Sequence, residues 1–238
     1  MAAHAGSASF LATATFVSGT KPYHPSPMQT LDCGDSRTPI TVLWSSADGV
    51  PDGNARLACD LTIATVAYDS QISQRSIPAL GYRLLLVPTG YSLYRHAISM
   101  RLSGPARLTY AVHGGDAKLM RIELVQNIAH ETMHVWAEFF RVPAARRAGT
   151  REEQMAYMTG TCAALAVNGY FNARDGMIVT PGNVATNHSI DRSQRGGAAL
   201  RHEIASYFSD GPILQRDSTD GRRFADFCKA RIGAFFAP

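Results

Sequence analysis

No glycine or proline occurs from Asp116 to Val142, and this run of 27 residues constrains the chain more than any other feature. Within it Leu119, Ile122, Val125, Ala129, Met133 and Trp136 recur every three or four residues and lie on one side of a helix. The pattern predicts one long helix, opened by Asp116 as N-cap and closed before Pro143.

The second half of that helix carries His130-Glu131-Thr132-Met133-His134. Residues four apart share a helix face, so both imidazoles can present a nitrogen to one cation. Glu131 is turned about 100° from His130, which aims its carboxylate beside the cation rather than at it, as a general base requires. With this chain's His and Glu frequencies, such a pattern arises in about one random chain in 150, so its setting matters as much as its letters. A strand candidate precedes it, and the helix around it is strongly periodic.

Two histidines do not hold a catalytic zinc ion, so a third ligand is required. A histidine six residues after His134 would supply it in one family of sites, but Phe140 occupies that position. His130-Glu-x-x-His134 followed by Glu153-x-x-Ala156-Tyr157-x-x-Gly160 resembles the active-site helices of the small gluzincin-type zincins, which are related to thermolysin. The resemblance is confined to the two helices. It implies a zincin-like fold with an edge strand beside the active helix, Zn2+ held by His130, His134 and a downstream glutamate, and hydrolysis of peptide bonds.

Glu152 and Glu153 stand 18 and 19 residues after His134, at the start of the next expected helix. Glu153 is the preferred ligand, because Ala156 and Gly160 follow it on a small-residue stripe where two helices can approach closely. Glu152 remains its rival: Thr150-Arg-Glu-Glu153 also spells a capping box, in which Glu153 bonds back to the helix start and Glu152 is left for the metal. In the implied mechanism a metal-activated water attacks the scissile carbonyl while Glu131 takes its proton. Tyr157, His188 and His202 are candidates for stabilising the oxyanion. Leu108–Val112 is the strand expected at the sheet edge, aligning an extended peptide by main-chain hydrogen bonds.

The rest of the chain predicts an α+β domain, with a β-containing first half (1–115) and a mainly helical second half (116–238). Strands are expected at Phe10–Val17, Ile40–Trp44, Tyr82–Val87 and Leu108–Val112, bounded by Pro and Gly. A helix is expected from Asn54, with Leu57, Leu61, Ala64, Tyr68 and Ile72 on its apolar face, and others at about 151–168, 198–208 and 222–235. Gly196-Gly197 reads as a loop, and Trp136, Phe139 and Phe140 read as core. The whole is expected to form a single domain over 1–238.

Composition narrows the class. Hydrophobic residues make up 45% and charged residues 18%, as in globular proteins, and no apolar run approaches the roughly 18 residues of a membrane span. The net charge of +4 is mild. The arginine-rich stretch from Arg141 to Arg151 lacks interleaved aromatics, so it is expected to be a solvated loop rather than a nucleic-acid surface. Cys33, Cys59, Cys162 and Cys228 show no C-x-x-C spacing. Three pairings are open to them, and Cys162, in an Ala-rich segment, reads as a free buried thiol.

Phe10–Val17 alternates too much for a signal peptide, which leaves a cytoplasmic protein, or an exported one whose leader is missing here. The expected partner is a peptide or protein substrate; oligomeric state is not legible. Two other classes stay open: a zincin-derived binding or scaffold domain without activity, and a zinc hydrolase of a non-peptide amide.

Overall fold

The computed structural model describes residues 21–24, 26–92, 99–101, 107–173 and 188–237, so the strand expected at Phe10–Val17 lies outside the described residues. It is a mixed α and β protein whose described parts fall into two compact units, Met1–Cys59 with Ala79–Ala117, and Asp60–Pro78 with Lys118–Pro238.

The first unit is built on a five-stranded sheet, ordered β2 (Gln29–Gly34), β3 (Pro39–Trp44), β4 (Gly81–Val87), β7 (Arg107–His113), β6 (Ser99–Arg101). The three central strands are parallel, and β2 and β6 pair antiparallel at the two sides. Pleating divides the side chains between two faces. Ile40, Val42 and Trp44, Tyr82, Leu84 and Leu86, and Leu108, Tyr110 and Val112 point to one buried face. On the other, Val87 and Ala111 pack with Tyr23, while the row Thr41, Arg83, Thr109 stays partly exposed. Two short strands, β1 (Lys21–Pro22) and β5 (Tyr91–Ser92), form a separate parallel pair.

The expected strands at 40–44, 82–87 and 108–112 are present, but β7 is not the edge. Its residues Arg107, Leu108 and Thr109 pair with β6, which takes the outer position. β2 was not expected: Gln29-Thr-Leu-Asp-Cys-Gly34 is too polar to signal a strand, and pairing with β3 supplies what propensity does not.

Helix α1 (Asp52–Ser73) joins β3 to β4. Its buried face differs from the expected one. Ala64 is exposed, while Thr62, Thr65, Asp69 and Ser73 are buried with Leu61, Val66 and Ile72. The stripe is rotated toward threonines, whose hydroxyls the helix itself can satisfy, as Thr65 does by donating to the Leu61 carbonyl at 2.7 Å.

The second unit holds the C-terminal half of α1 and the helices α2 (Ala117–Phe139), α3 (Ala144–Arg147), α4 (Arg151–Asn168), α5 (His188–Ile204) and α6 (Thr219–Phe236). A small antiparallel pair, β8 (Tyr170–Asn172) and β9 (Ile213–Gln215), completes it. α2 ends three residues before the expected Val142, where Arg141 takes a positive φ of 52°. α4 packs on α5 and α6. It runs antiparallel to α2, with Gly160 against the Gln126 backbone and the Asn168 amide donating to the Arg121 carbonyl. A Cβ at Gly160 would lie 2.6 Å from the Gln126 carbonyl oxygen, so only glycine permits this approach.

All four cysteines are paired, Cys33 with Cys59 and Cys162 with Cys228. Cys162 is therefore not a free thiol; it ties α4 to α6. The arginine-rich stretch is not merely solvated either. Arg146 donates to the Phe235 and Ala237 carbonyls at the end of α6, Arg151 to the Ala145 carbonyl, and Arg147 to two glutamates. Phe139, expected in the core, is 62% exposed, whereas Trp136 is buried. No helix among the described residues is long and apolar enough to cross a membrane.

Candidate metal centre

The site lies within the second unit and is assembled by α2 and the first turn of α4. α2 is buried on most of its circumference from Leu124 to Ala137, which brings His130 and His134 inside while keeping them one turn apart. Their side chains are 6% and 11% exposed, and their rings meet edge to face at 5.1 Å. Tyr157, one turn beyond Glu153 on α4, packs its ring 4.7 Å from His130. Tyr157 thus packs against the His130 ring.

Glu153 spans the two histidines. One carboxylate oxygen lies 3.6 Å from His130 Nε2 and the other 3.6 Å from His134 Nε2. One donor atom from each of the three residues falls within 4.8 Å of the others, a group that can hold a metal ion. Ligands about 2.0–2.2 Å from a tetrahedral zinc ion sit roughly 3.3–3.6 Å apart, so each 3.6 Å contact matches that spacing, while the group as a whole, within 4.8 Å, would draw closer together around one ion. The donor set of two imidazoles and one carboxylate is the kind that binds zinc and leaves a coordination position open. Glu131 is beside the group and not part of it, with its carboxylate 3.8 Å from His130 Nε2 and 13% exposed.

Glu152 has a different place. It accepts a hydrogen bond from His134 Nδ1 at 2.9 Å on one oxygen, while the other accepts from Arg147 Nε at 2.6 Å. Its carboxylate therefore faces the ring edge opposite Nε2. The alternative of a capping box is not realised, since the Thr150 side chain makes no capping bond and Glu153 is turned toward the histidines. His202 is exposed, and of His188 only its place at the start of α5 is described.

Burial and neighbouring charge set the protonation of these groups. Burial, reinforced by nearby His134, pushes His130 down to about 3, so it is neutral and able to donate a lone pair. Burial alone would lower His134 as well. The hydrogen bonds to Glu152 and Glu153 and the charges of Glu131 and Glu153 outweigh it and raise His134 to about 10. Glu131 rises to about 7, chiefly by burial and further by Glu153, with His134 pulling it back. For Glu152 and Glu153 burial works upward, but the bonds to His134, and for Glu152 to Arg147, hold both below the ordinary carboxylate value.

Helix α5 backs Glu153, a feature absent from the sequence expectations. Gly196-Gly197 is helical rather than a loop, and Gly196 lies against the backbone of Glu153 and Gln154. Gln154 donates to Glu203 of α5 at 2.7 Å, and Arg231 of α6 pairs with the same carboxylate at 2.9 Å. A Gly-Gly pair in mid-helix with no turn to make is the signal that could have disclosed this approach. No protein-family model matches the chain, and no curated protein matches it.

Proposed function

We propose that the chain is a zinc-dependent peptidase of the zincin type, with His130, His134 and Glu153 as metal ligands and Glu131 as general base. The observation that carries this reading is the convergence of His130 Nε2, His134 Nε2 and both Glu153 oxygens, with the Glu131 carboxylate at the edge of the group. Zinc bound there would polarise a scissile carbonyl and make a water molecule acidic enough to attack near neutral pH.

The chain's own residues divide the remaining work. His130 and His134 hold their nitrogens on one helix face, and Tyr157 keeps the His130 ring in place. Glu153 brings a negative charge from a second helix, so the centre forms only when α2 and α4 are docked. Glu131, buried beside it, accepts the proton of the attacking water and passes it to the leaving amine. The two disulfides support residence in an oxidising compartment, which favours the exported alternative over the cytoplasmic one.

The test is cleavage of casein by the zinc-loaded protein and by its Glu131→Gln variant. Cleavage that is inhibited by a chelator and lost in Glu131→Gln with zinc retained supports a peptidase. Zinc binding without cleavage of casein or a peptide library would point to a binding domain or to a non-peptide amide.

A further inference from the structure

The Nδ1 edge of His134 is engaged by a chain of charges that the catalytic roles leave unexplained. Glu152 accepts a hydrogen bond from His134 Nδ1 at 2.9 Å, Arg147 donates to Glu152 from Nε at 2.6 Å and from a terminal nitrogen at 3.4 Å, and Arg147 also donates to Glu138 at 2.7 Å. Glu138 is four residues after His134 on α2, Arg147 is on α3 and Glu152 opens α4. The chain thus spans the whole connection between the helices that carry the ligands.

Its geometry has a directional consequence. An imidazole can turn either nitrogen toward a cation, and the hydrogen bond on one nitrogen decides which is offered. With Nδ1 bound to Glu152, only His134 Nε2 faces Glu153. Both Glu152 oxygens accept hydrogen bonds, one from His134 and the other from Arg147, which directs this carboxylate to the Nδ1 edge of the ring, away from Nε2. The burial is graded in the same direction: the side chains of His134, Glu152, Arg147 and Glu138 are 11%, 18%, 27% and 65% exposed, so the chain runs from the centre outward to solvent.

We propose that Glu152 and Arg147 are positioning residues: Glu152 fixes His134 with Nε2 toward Glu153, and Arg147 fixes Glu152 against α2. This deepens the zinc-centre reading and rests on it for its metal readout. Outer partners of metal-binding histidines raise ligand basicity and hold ring orientation, and their loss costs about 10–100-fold in metal affinity. A purely structural salt bridge would not show that dependence on His134.

The experiment measures zinc affinity, by competition with a chromophoric chelator, for Glu152→Ala, Arg147→Gln and the double variant. A second readout follows the His134 Nδ1 proton by 1H–15N NMR in the metal-free protein. Expected are a 10–100-fold loss of affinity in Glu152→Ala, a smaller loss in Arg147→Gln, and no further loss when both are changed, because Arg147 acts through Glu152. The Nδ1 proton signal should be present in the unaltered chain and lost in Glu152→Ala.

Should zinc binding vanish in Glu152→Ala but survive in Glu153→Ala, Glu152 is itself the ligand and the proposal is overturned. Additive losses would overturn the role given to Arg147, and unchanged affinity in Glu152→Ala would overturn that given to Glu152. If the unaltered chain binds no zinc yet shows the protected Nδ1 proton, the peptidase reading fails while the positioning of His134 stands. Absence of that proton overturns the positioning whatever the metal does.

Discussion

Gly196 of α5 lies so close to Glu153 that a Cβ there would be 2.8 Å from the Glu153 Cβ and 2.9 Å from the Gln154 nitrogen. Helix propensity alone favours alanine over glycine by about 1 kcal/mol, so a glycine in mid-helix signals a steric requirement. Gly196→Ala must push α5 away from Glu153. The expected result is a net loss of about 1–3 kcal/mol of stability, as for other overpacked sites, with weaker zinc binding. Thermal unfolding with and without zinc checks both.

Glu131→Gln keeps the shape of the side chain and removes its ability to take a proton. Since Glu131 lies outside the His130–His134–Glu153 group proposed to hold the metal, zinc content should remain as in the unaltered protein. Turnover should fall about 10²–10⁴-fold, the usual contribution of a positioned general base. A parallel assay of bound zinc and peptide hydrolysis separates this from loss of the metal.

Protonation of His134 predicts how metal affinity depends on pH. Its value in the metal-free protein is raised from 6.5 to about 10, so at neutral pH both ring nitrogens carry protons. Binding at Nε2 must displace one of them. Zinc affinity should therefore rise with pH until about 10, and close to one proton should be released from His134 per zinc at pH 7, measurable by calorimetry in buffers of different ionisation enthalpy. The same shift has a definite sign for the metal-free fold. Its stabilising contribution is complete below 6.5 and is lost as the pH rises through about 10.

The Cys162–Cys228 bridge closes a separation of 66 residues and secures the helix that carries Glu153. By the entropy of loop closure, removing it should cost about 4 kcal/mol. Cys162→Ala with Cys228→Ala should therefore melt well below the parent protein. Thiol titration of the denatured, unreduced chain should find none of the four cysteines free.

Much of the site was legible because local signals agreed. Freedom from Gly and Pro marked α2, the Pro143–Gly149 connection set α4 apart from it, and the four-residue spacing placed both histidines on one face. The small-residue stripe of Ala156 and Gly160 signalled a close helix approach, and the structure places that approach at the Gln126 backbone. What stayed hidden depends on partners distant in sequence. Glu152 and Glu153 are chemically alike and adjacent, and only the placement of Arg147 and His134 distinguishes them. The rotated face of α1 escaped notice because its buried Thr62, Thr65 and Asp69 carry no apolar signal. β2 is a strand by virtue of β3, and the helical Gly196-Gly197 has the composition of a turn while serving as a seat for α4. Disulfide connectivity follows from the fold alone, since four cysteines allow three pairings.

The most direct test of the central claim is zinc stoichiometry by elemental analysis of the purified protein and of His130→Ala, His134→Ala, Glu152→Ala and Glu153→Ala. The account predicts one tightly held zinc ion per chain, lost when His130, His134 or Glu153 is changed and weakened but retained in Glu152→Ala. A chain that takes up no zinc after reconstitution, or one that keeps it when Glu153 is replaced, would contradict the account.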